Sequence, residues 1–135
     1  LPVGFTPDLF ETVDLQDALQ TCYTGGTVLH AYLGESIDDI DVCKRLIQRI
    51  FAKFKLPYLS ITPTFSICQE HGYLLGEQFH CPQCGAETEV WSGVTGYLRP
   101  VANYNDGKKA EYFERMKFDI PAMSSELELA GKGLN

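Results

Sequence analysis

The sequence predicts an α+β fold of one domain's size, and three observations carry that reading. Ser36 to Leu56 places apolar residues at helical spacing over several turns. Short runs at 27–33, 58–62 and 64–67 are rich in β-branched and aromatic residues and read as strands. Two knuckle-like turns, Cys68-Gln69-Glu70-His71-Gly72 and Cys81-Pro82-Gln83-Cys84-Gly85, follow the last of these runs and fold against each other as a hairpin.

The elements follow in order. Residues 1–13 read as extended and irregular, with Pro2, Gly4 and Pro7 as breakers. Asp14 is the expected cap of a short helix to about Tyr23, with Leu15, Ala18, Leu19 and Cys22 on its apolar side and Gly25-Gly26 beyond its end. Thr27 to Leu33 is a buried strand. The long helix has Ser36 as its cap and Asp38, Asp39 and Asp41 at the positive end of its dipole. Its core face is Ile37, Ile40, Cys43, Ile47, Ile50 and Phe54, broadened by Leu46 and Phe51, and it stops before Pro57. Pro63 interrupts the next strand region and suggests an edge or a bulge. Thr88 to Trp91 is the return strand of the hairpin. Residues 106–118 form a short helix with Tyr112, Phe113 and Met116 on one side, and the tail after Pro121 is loosely ordered.

Composition narrows the function classes. At 135 residues the chain can bury a real core, and 44% hydrophobic with 21% charged residues is ordinary for a globular protein. With 18 acidic against 11 basic residues, the net charge of −7 argues against a nucleic-acid surface. No apolar run approaches the ~20 residues of a membrane span, and no basic-plus-apolar leader is evident. The sequence opens Leu1-Pro2 without Met, which points to a piece of something larger or a processed chain. Five cysteines cannot all pair internally, and three lie in knuckles, which favours metal and a reducing, cytoplasmic compartment over disulfides.

Cys68 and His71, then Cys81 and Cys84, make two chelating pairs that suit tetrahedral Zn²⁺. The Gly after each pair permits a positive φ, so backbone N–H groups can turn toward the sulfurs. A four-thiolate iron centre fits less well because one ligand is His. His80 is an alternative fourth ligand, although its adjacency to Cys81 breaks the chelate. Four protein ligands leave no open position, so the metal would be structural. Cys43 and Cys22 read as small core residues and His30 as a satisfied core histidine. Glu77, Glu87 and Glu89 read as solvated.

Gly93, Gly96 and Gly107 lie in a Tyr-, Asn- and Arg-rich segment that, by itself, reads as turns, since no phosphate-loop pattern accompanies them. Val94-Thr95-Gly96-Tyr97-Leu98-Arg99-Pro100-Val101, with Tyr104 to Lys109 behind it, resembles the radical-bearing C-terminal loop of the anaerobic (class III) ribonucleoside-triphosphate reductases. Tyr23-Thr24-Gly25-Gly26-Thr27-Val28-Leu29-His30, Lys55-Leu56-Pro57-Tyr58, Thr62 to Cys68 and His71-Gly72-Tyr73-Leu74 are also similar to that family's C-terminal third. The family commonly has Arg where this chain has Gly93.

The resemblance implies a fragment of a glycyl radical enzyme barrel in residues 1–67, a zinc-ribbon-like hairpin in 68–91, the radical loop and following helix in 92–121, and a tail in 122–135. It implies a radical on Gly96, installed by an S-adenosylmethionine-dependent iron–sulfur activase. It further implies ribonucleoside triphosphates as substrates of the parent enzyme, a thiyl cysteine in a barrel upstream, and a homodimer. No membrane or nucleic-acid partner is expected. A stand-alone glycyl radical subunit complementing a split or damaged reductase and a zinc-ribbon interaction domain without radical chemistry are the competing readings.

Overall fold

A computed structural model of the chain describes residues 5–94 and 96–119. The first helix, α1, is Leu9–Gln20, capped by Asp8, whose carboxylate accepts from the N–H groups of Phe10 (2.8 Å) and Glu11 (3.2 Å). It therefore begins earlier than the Asp14 start expected from sequence, and residues 9–13 are helical rather than irregular. Pro7 immediately before an Asp cap launches the helix instead of breaking it. Leu9 and Val13, one turn apart, are buried, whereas Leu15, Ala18, Leu19 and Cys22 face solvent, the reverse of the expected apolar side.

Strand β1 (Leu29–Tyr32) and strand β2 (Leu59–Thr62) run parallel, in register Leu29 to Leu59 through Tyr32 to Thr62. Parallel neighbours need a crossover, and α2 (Ile40–Lys53) supplies it. Asp39, not Ser36, caps α2, accepting from Asp41 N–H (2.8 Å) and Val42 N–H (3.2 Å). The Ser36 hydroxyl is instead 2.8 Å from that of Tyr73. At the other end Phe54 is already extended, and Asp17 of α1 accepts the Lys55 N–H at 2.7 Å.

The core of this unit is Leu9, Val13, Leu29, Ala31, Leu33, Leu46, Ile50, Phe54, Leu56 and Phe118, with Ile37 and Val42 packed against it. Burying Leu46 and Ile50 contributes about 1.5–3 kcal/mol each. Ile40, Ile47 and Phe51 are exposed, which corrects the expectation that the whole apolar stripe is core. Two strands spaced about 4.8 Å apart offer too narrow a platform for a stripe that wide.

Pro63 and Thr64 carry the chain into a second sheet, antiparallel, in the order β4-β3-β5-β6. Its strands are β3 (Phe65–Cys68), β4 (Gly72–Leu75), β5 (Glu89–Val94) and β6 (Tyr97–Pro100). The interruption at Pro63 thus separates two strands of different sheets. The return strand pairs with β3, Phe65 opposite Trp91 and Ile67 opposite Glu89. A 3-10 turn at Val101–Asn103 leads to α3 (Asp106–Glu114), capped by Asn105 through Lys108 N–H at 2.8 Å. Tyr112 of α3 is buried with Val90, Val101 and Tyr104, while Phe113 is exposed and Met116 lies beyond the helix end. The chain then returns to β1, where Phe118 N–H donates to Tyr32 O (2.9 Å) and Gly34 N–H to Phe118 O (3.2 Å). The expected tail, 122–135, lies outside the described residues.

Candidate metal centre and glycine hairpin

β3 delivers Cys68 at its last position, and the chain turns so that Gly72 opens β4 opposite it. The second knuckle closes on itself, Gly85 N–H donating to Cys81 O and Cys81 N–H to Ala86 O, both at 2.8 Å. Gly72 and Gly85 have φ of +73° and +72°, the left-handed turn anticipated after each ligand pair. One ligand atom from each of Cys68, His71, Cys81 and Cys84 lies within 4.8 Å of the others. Cys68 Sγ to Cys84 Sγ is 3.8 Å, and His71 Nδ1 is 3.7 Å from Cys68 Sγ and 3.6 Å from Cys81 Sγ.

These separations decide between chemistries. A disulfide would bring two sulfurs to about 2.05 Å. A tetrahedron with metal–sulfur bonds of about 2.3 Å and a metal–nitrogen bond of about 2.0–2.1 Å has sulfur–sulfur edges of about 3.8 Å and sulfur–nitrogen edges of about 3.6 Å. The donor set fits a four-coordinate, closed metal site. The backbone supports it: N–H groups of His71 and then Cys84 hold the Cys68 and Cys81 thiols below their ordinary pKa. At Cys84 the Ala86 N–H acts in the same direction, but burial and the neighbouring sulfurs outweigh it and the thiol is pushed up. Thiolate is the ligand form, so two of the three sulfurs are prepared for a cation that would supply the third's compensation. Cys68 and Cys81 are buried with Leu74, and His71 and Cys84 lie at the surface.

The remaining candidates separate from this cluster. His80 is exposed and forms a backbone bridge with Glu87, so it is not one of the four. Cys43 is half-buried, but Cys22 is exposed, with its thiol 3.2 Å from Ala18 O, and is not a core residue. His30 is also exposed and stacks on Tyr32, because only alternate residues of β1 face the core. Glu77 is half-buried and ion-paired with Lys117, contrary to the solvated reading, whereas Glu87 and Glu89 are exposed. Gly107 lies in the first turn of α3.

Gly96 occupies the turn of the β5–β6 hairpin, between the paired residues Val94 and Tyr97. Its φ is +84°, and a Cβ there would meet nothing within 4 Å among the described residues beyond its chain neighbours. Backbone conformation, not crowding, therefore favours glycine at 96. A small cleft of about 180 Å³ lies beside it, lined by Ser60, Thr62, Pro63, Gly93, Tyr97 and Leu98 among others. Gly93 differs: a Cβ there would stand 2.4 Å from the Thr62 methyl, so a side chain at 93 has no space unless Thr62 moves.

Sequence reasoning missed one group. Arg115, at the end of α3, is buried with its guanidinium donating to Gly93 O (2.9 Å), Ser92 Oγ (3.3 Å) and both oxygens of Glu111 (2.5 and 3.1 Å). It also lies over the Tyr32 ring, 3.8 Å from the centroid. The hydrogen bonds to Arg115 hold the Glu111 carboxyl below its ordinary pKa. Burial raises the Tyr104 hydroxyl, which stays protonated and donates to Ser92 O at 2.8 Å. The Glu111–Arg115 spacing of four was the available signal.

Comparisons with known proteins converge on one family. The family model described as anaerobic ribonucleoside-triphosphate reductase matches residues 1–118. A solved anaerobic ribonucleotide reductase is 25% identical, with a TM-score of 0.63 over 83% of this chain. The Thermotoga maritima anaerobic ribonucleotide reductase with MES in its active site is 24% identical, with a TM-score of 0.53 over 73% of the chain. The same enzyme in complex with dATP and CTP is 21% identical, with a TM-score of 0.52 over 77%. The chain spans 18%, 16% and 17% of these three structures respectively. No curated protein sequence matches significantly.

Proposed function

Because the chain belongs to the anaerobic ribonucleoside-triphosphate reductase family, we propose that it forms the C-terminal, radical-bearing part of such a reductase, with the unpaired electron stored on the Gly96 Cα. The observation that carries this reading is the placement of Gly96. It sits at the turn of a hairpin, with left-handed backbone and, among the described residues, open space where a Cβ would stand, on the same sheet that carries the Cys68–His71–Cys81–Cys84 cluster. A Cα radical is delocalised into the flanking amide and carbonyl only if the centre is planar, and a Cβ would crowd that plane. The cluster would hold Zn²⁺ as a closed structural site that fixes β3 and β4.

The hydrogen balance is simple. An activating enzyme of the S-adenosylmethionine and iron–sulfur type would supply a carbon radical that removes one hydrogen atom from Gly96 Cα. The glycyl radical would then take a hydrogen atom back from a cysteine thiol elsewhere in the parent enzyme, leaving a thiyl radical that removes a hydrogen atom from the ribose of a ribonucleoside triphosphate, re-forming the S–H bond and leaving a carbon radical on the sugar. We place that cysteine, the nucleotide sites and the dimer contacts in the portion of the family's length that this chain does not span. No helix among the described residues is long and apolar enough to cross a membrane, and the cytoplasm is our assignment from cysteine usage.

The test is electron paramagnetic resonance of the parent reductase after anaerobic activation. A doublet from one α-hydrogen, collapsing when the protein carries α-deuterated glycine and absent in Gly96→Ala, is the expected result. A signal that persists in Gly96→Ala would place the radical elsewhere. A correctly folded, metal-loaded parent that never gives a doublet would favour the interaction-domain reading.

A further inference from the structure

We propose that Arg115 and Tyr104 are positioning residues for the Gly96 turn, clamping the base of its hairpin by the two consecutive carbonyls of Ser92 and Gly93. For its catalytic consequence this rests on Gly96 as the radical site, but the clamp itself is argued from geometry.

Two donors from outside the sheet converge on adjacent peptide units. Tyr104 Oη donates to Ser92 O at 2.8 Å, and Arg115 donates to Gly93 O at 2.9 Å, three residues before Gly96. Both side chains are buried, and the Arg115 guanidinium is fixed on three sides. Glu111 holds Nε and one terminal nitrogen, the Ser92 hydroxyl shares the other, and the Tyr32 ring lies against the planar face. Tyr104 is held by edge contact with Tyr112. An isolated two-stranded hairpin is marginal in water, and β6 is an edge strand whose side chains are exposed over Tyr97 to Arg99. The turn's position is thus set from its β5 side. A hydrogen atom passes between the Cα and a donor from another part of the enzyme only when the two are held in near contact, and among the described residues these are the side-chain hydrogen bonds nearest to Gly96 along β5 that come from outside its own sheet.

Arg115 does more than fill space. Its fork ties together three separate elements: α3 through Glu111, β5 through Ser92 and Gly93, and β1 through Tyr32. A lysine would keep the charge, but its three N–H donors radiate from a single nitrogen and cannot reproduce the planar fork.

Tyr104→Phe and Arg115→Lys in the parent reductase separate the possibilities. In unactivated protein, amide hydrogen exchange at Tyr97 to Arg99 should accelerate about tenfold in each variant, the size expected for one lost hydrogen bond. Exchange in β3 and β4 and the metal content should be unchanged. After activation the doublet should fall several-fold in yield, with Arg115→Gln no better than Arg115→Lys. Unchanged exchange at 97–99 in the folded variants would overturn the clamp. So would uniform acceleration over both sheets, which is the mark of a merely structural role. If Arg115→Lys fails to fold, Tyr104→Phe, which removes a single oxygen, decides alone. A wild-type parent with no doublet would refute the reading of Gly96 and leave the exchange data to judge the clamp.

Discussion

Gly93 of β5 and Thr62 of β2 interlock: the space a side chain at 93 would take is filled by the Thr62 methyl, with Thr62 Oγ1 3.2 Å from where a Cβ would stand. This contact joins the parallel pair to the antiparallel sheet beside the Gly96 turn. Gly93→Ala should therefore destabilise the chain by about 1–3 kcal/mol through overpacking. Thr62→Ala should restore most of the loss in the double variant, with a coupling of at least about 1 kcal/mol. Denaturation midpoints of the four proteins measure it, and additive effects would mean that the two residues do not touch.

The metal centre gives a second expectation. Purified chain should hold about one Zn²⁺, and Cys81→Ser should release it and lower the melting temperature, because metal binding and folding of the knuckles are coupled. His80→Ala should leave metal content unchanged, since His80 stands outside the cluster. Retention of full metal by Cys81→Ser, measured by elemental analysis, would refute the ligand set.

Helix α2 separates two isoleucines that look alike in sequence. Ile50 is fully buried, and Ile50→Asp should cost more than about 3 kcal/mol by placing an unpaired carboxylate in the core. Ile47 is 39% exposed, and Ile47→Asp should cost less than about 1 kcal/mol in the isolated chain. Melting temperatures that fall equally would show that both flanks of the stripe are core.

That pair shows what the sequence could and could not say. The period of α2 is a local property and was readable, as were the knuckles, whose glycines serve turns closed within five residues. The helix caps were harder. Ser36 and Asp39 both have capping side chains, and Tyr73, far along the chain, takes the Ser36 hydroxyl. Asp8 and Glu11 make a start signal for α1, which Pro7, reading as a breaker, masks. Which flank of a stripe is buried, and whether His30 or Cys22 sees solvent, depends on what packs there and is not written in spacing. Arg115 shows in the sequence only its spacing of four from Glu111; its partners in β1 and β5 come from elsewhere in the chain.

The Glu111–Arg115 pair should make stability depend on pH in one direction. The folded-state pKa of Glu111 lies below its ordinary value of 4.5, so the ionised form binds Arg115 and stabilises the fold above that value. The contribution is lost as pH falls from about 4.5 through the lower folded value. The stability gap between wild type and Glu111→Gln should be present at pH 7 and shrink below that point. Metal release in acid affects both proteins alike and cancels in the difference. A gap that widens on acidification would reverse the sign and dismiss the pair as the cause.

Oxygen offers the most direct test of Gly96. Dioxygen adds rapidly to a carbon-centred radical, and the peroxyl species that forms breaks the backbone at that residue. Air exposure of the activated parent should cut the chain at Gly96 and free a piece beginning near Tyr97, roughly 4 kDa for the residues through Asn135, by proportion of the chain's 15.1 kDa. Gly96→Ala should prevent both the doublet and the cut, because its methyl group opposes the planar radical. That variant is not conformationally silent. At φ +84° an L side chain costs about 1–2 kcal/mol, so its melting temperature should fall modestly even though no described residue beyond its chain neighbours lies within 4 Å of the added methyl. D-alanine, introduced at 96 by semisynthesis, suits that φ and should recover the stability without recovering the radical. Mass spectrometry of activated and unactivated protein exposed to the same air locates the break. Cleavage at Gly93 or Gly107 would move the radical to that residue, and intact chains after a strong doublet would show that the radical is not on this backbone at all.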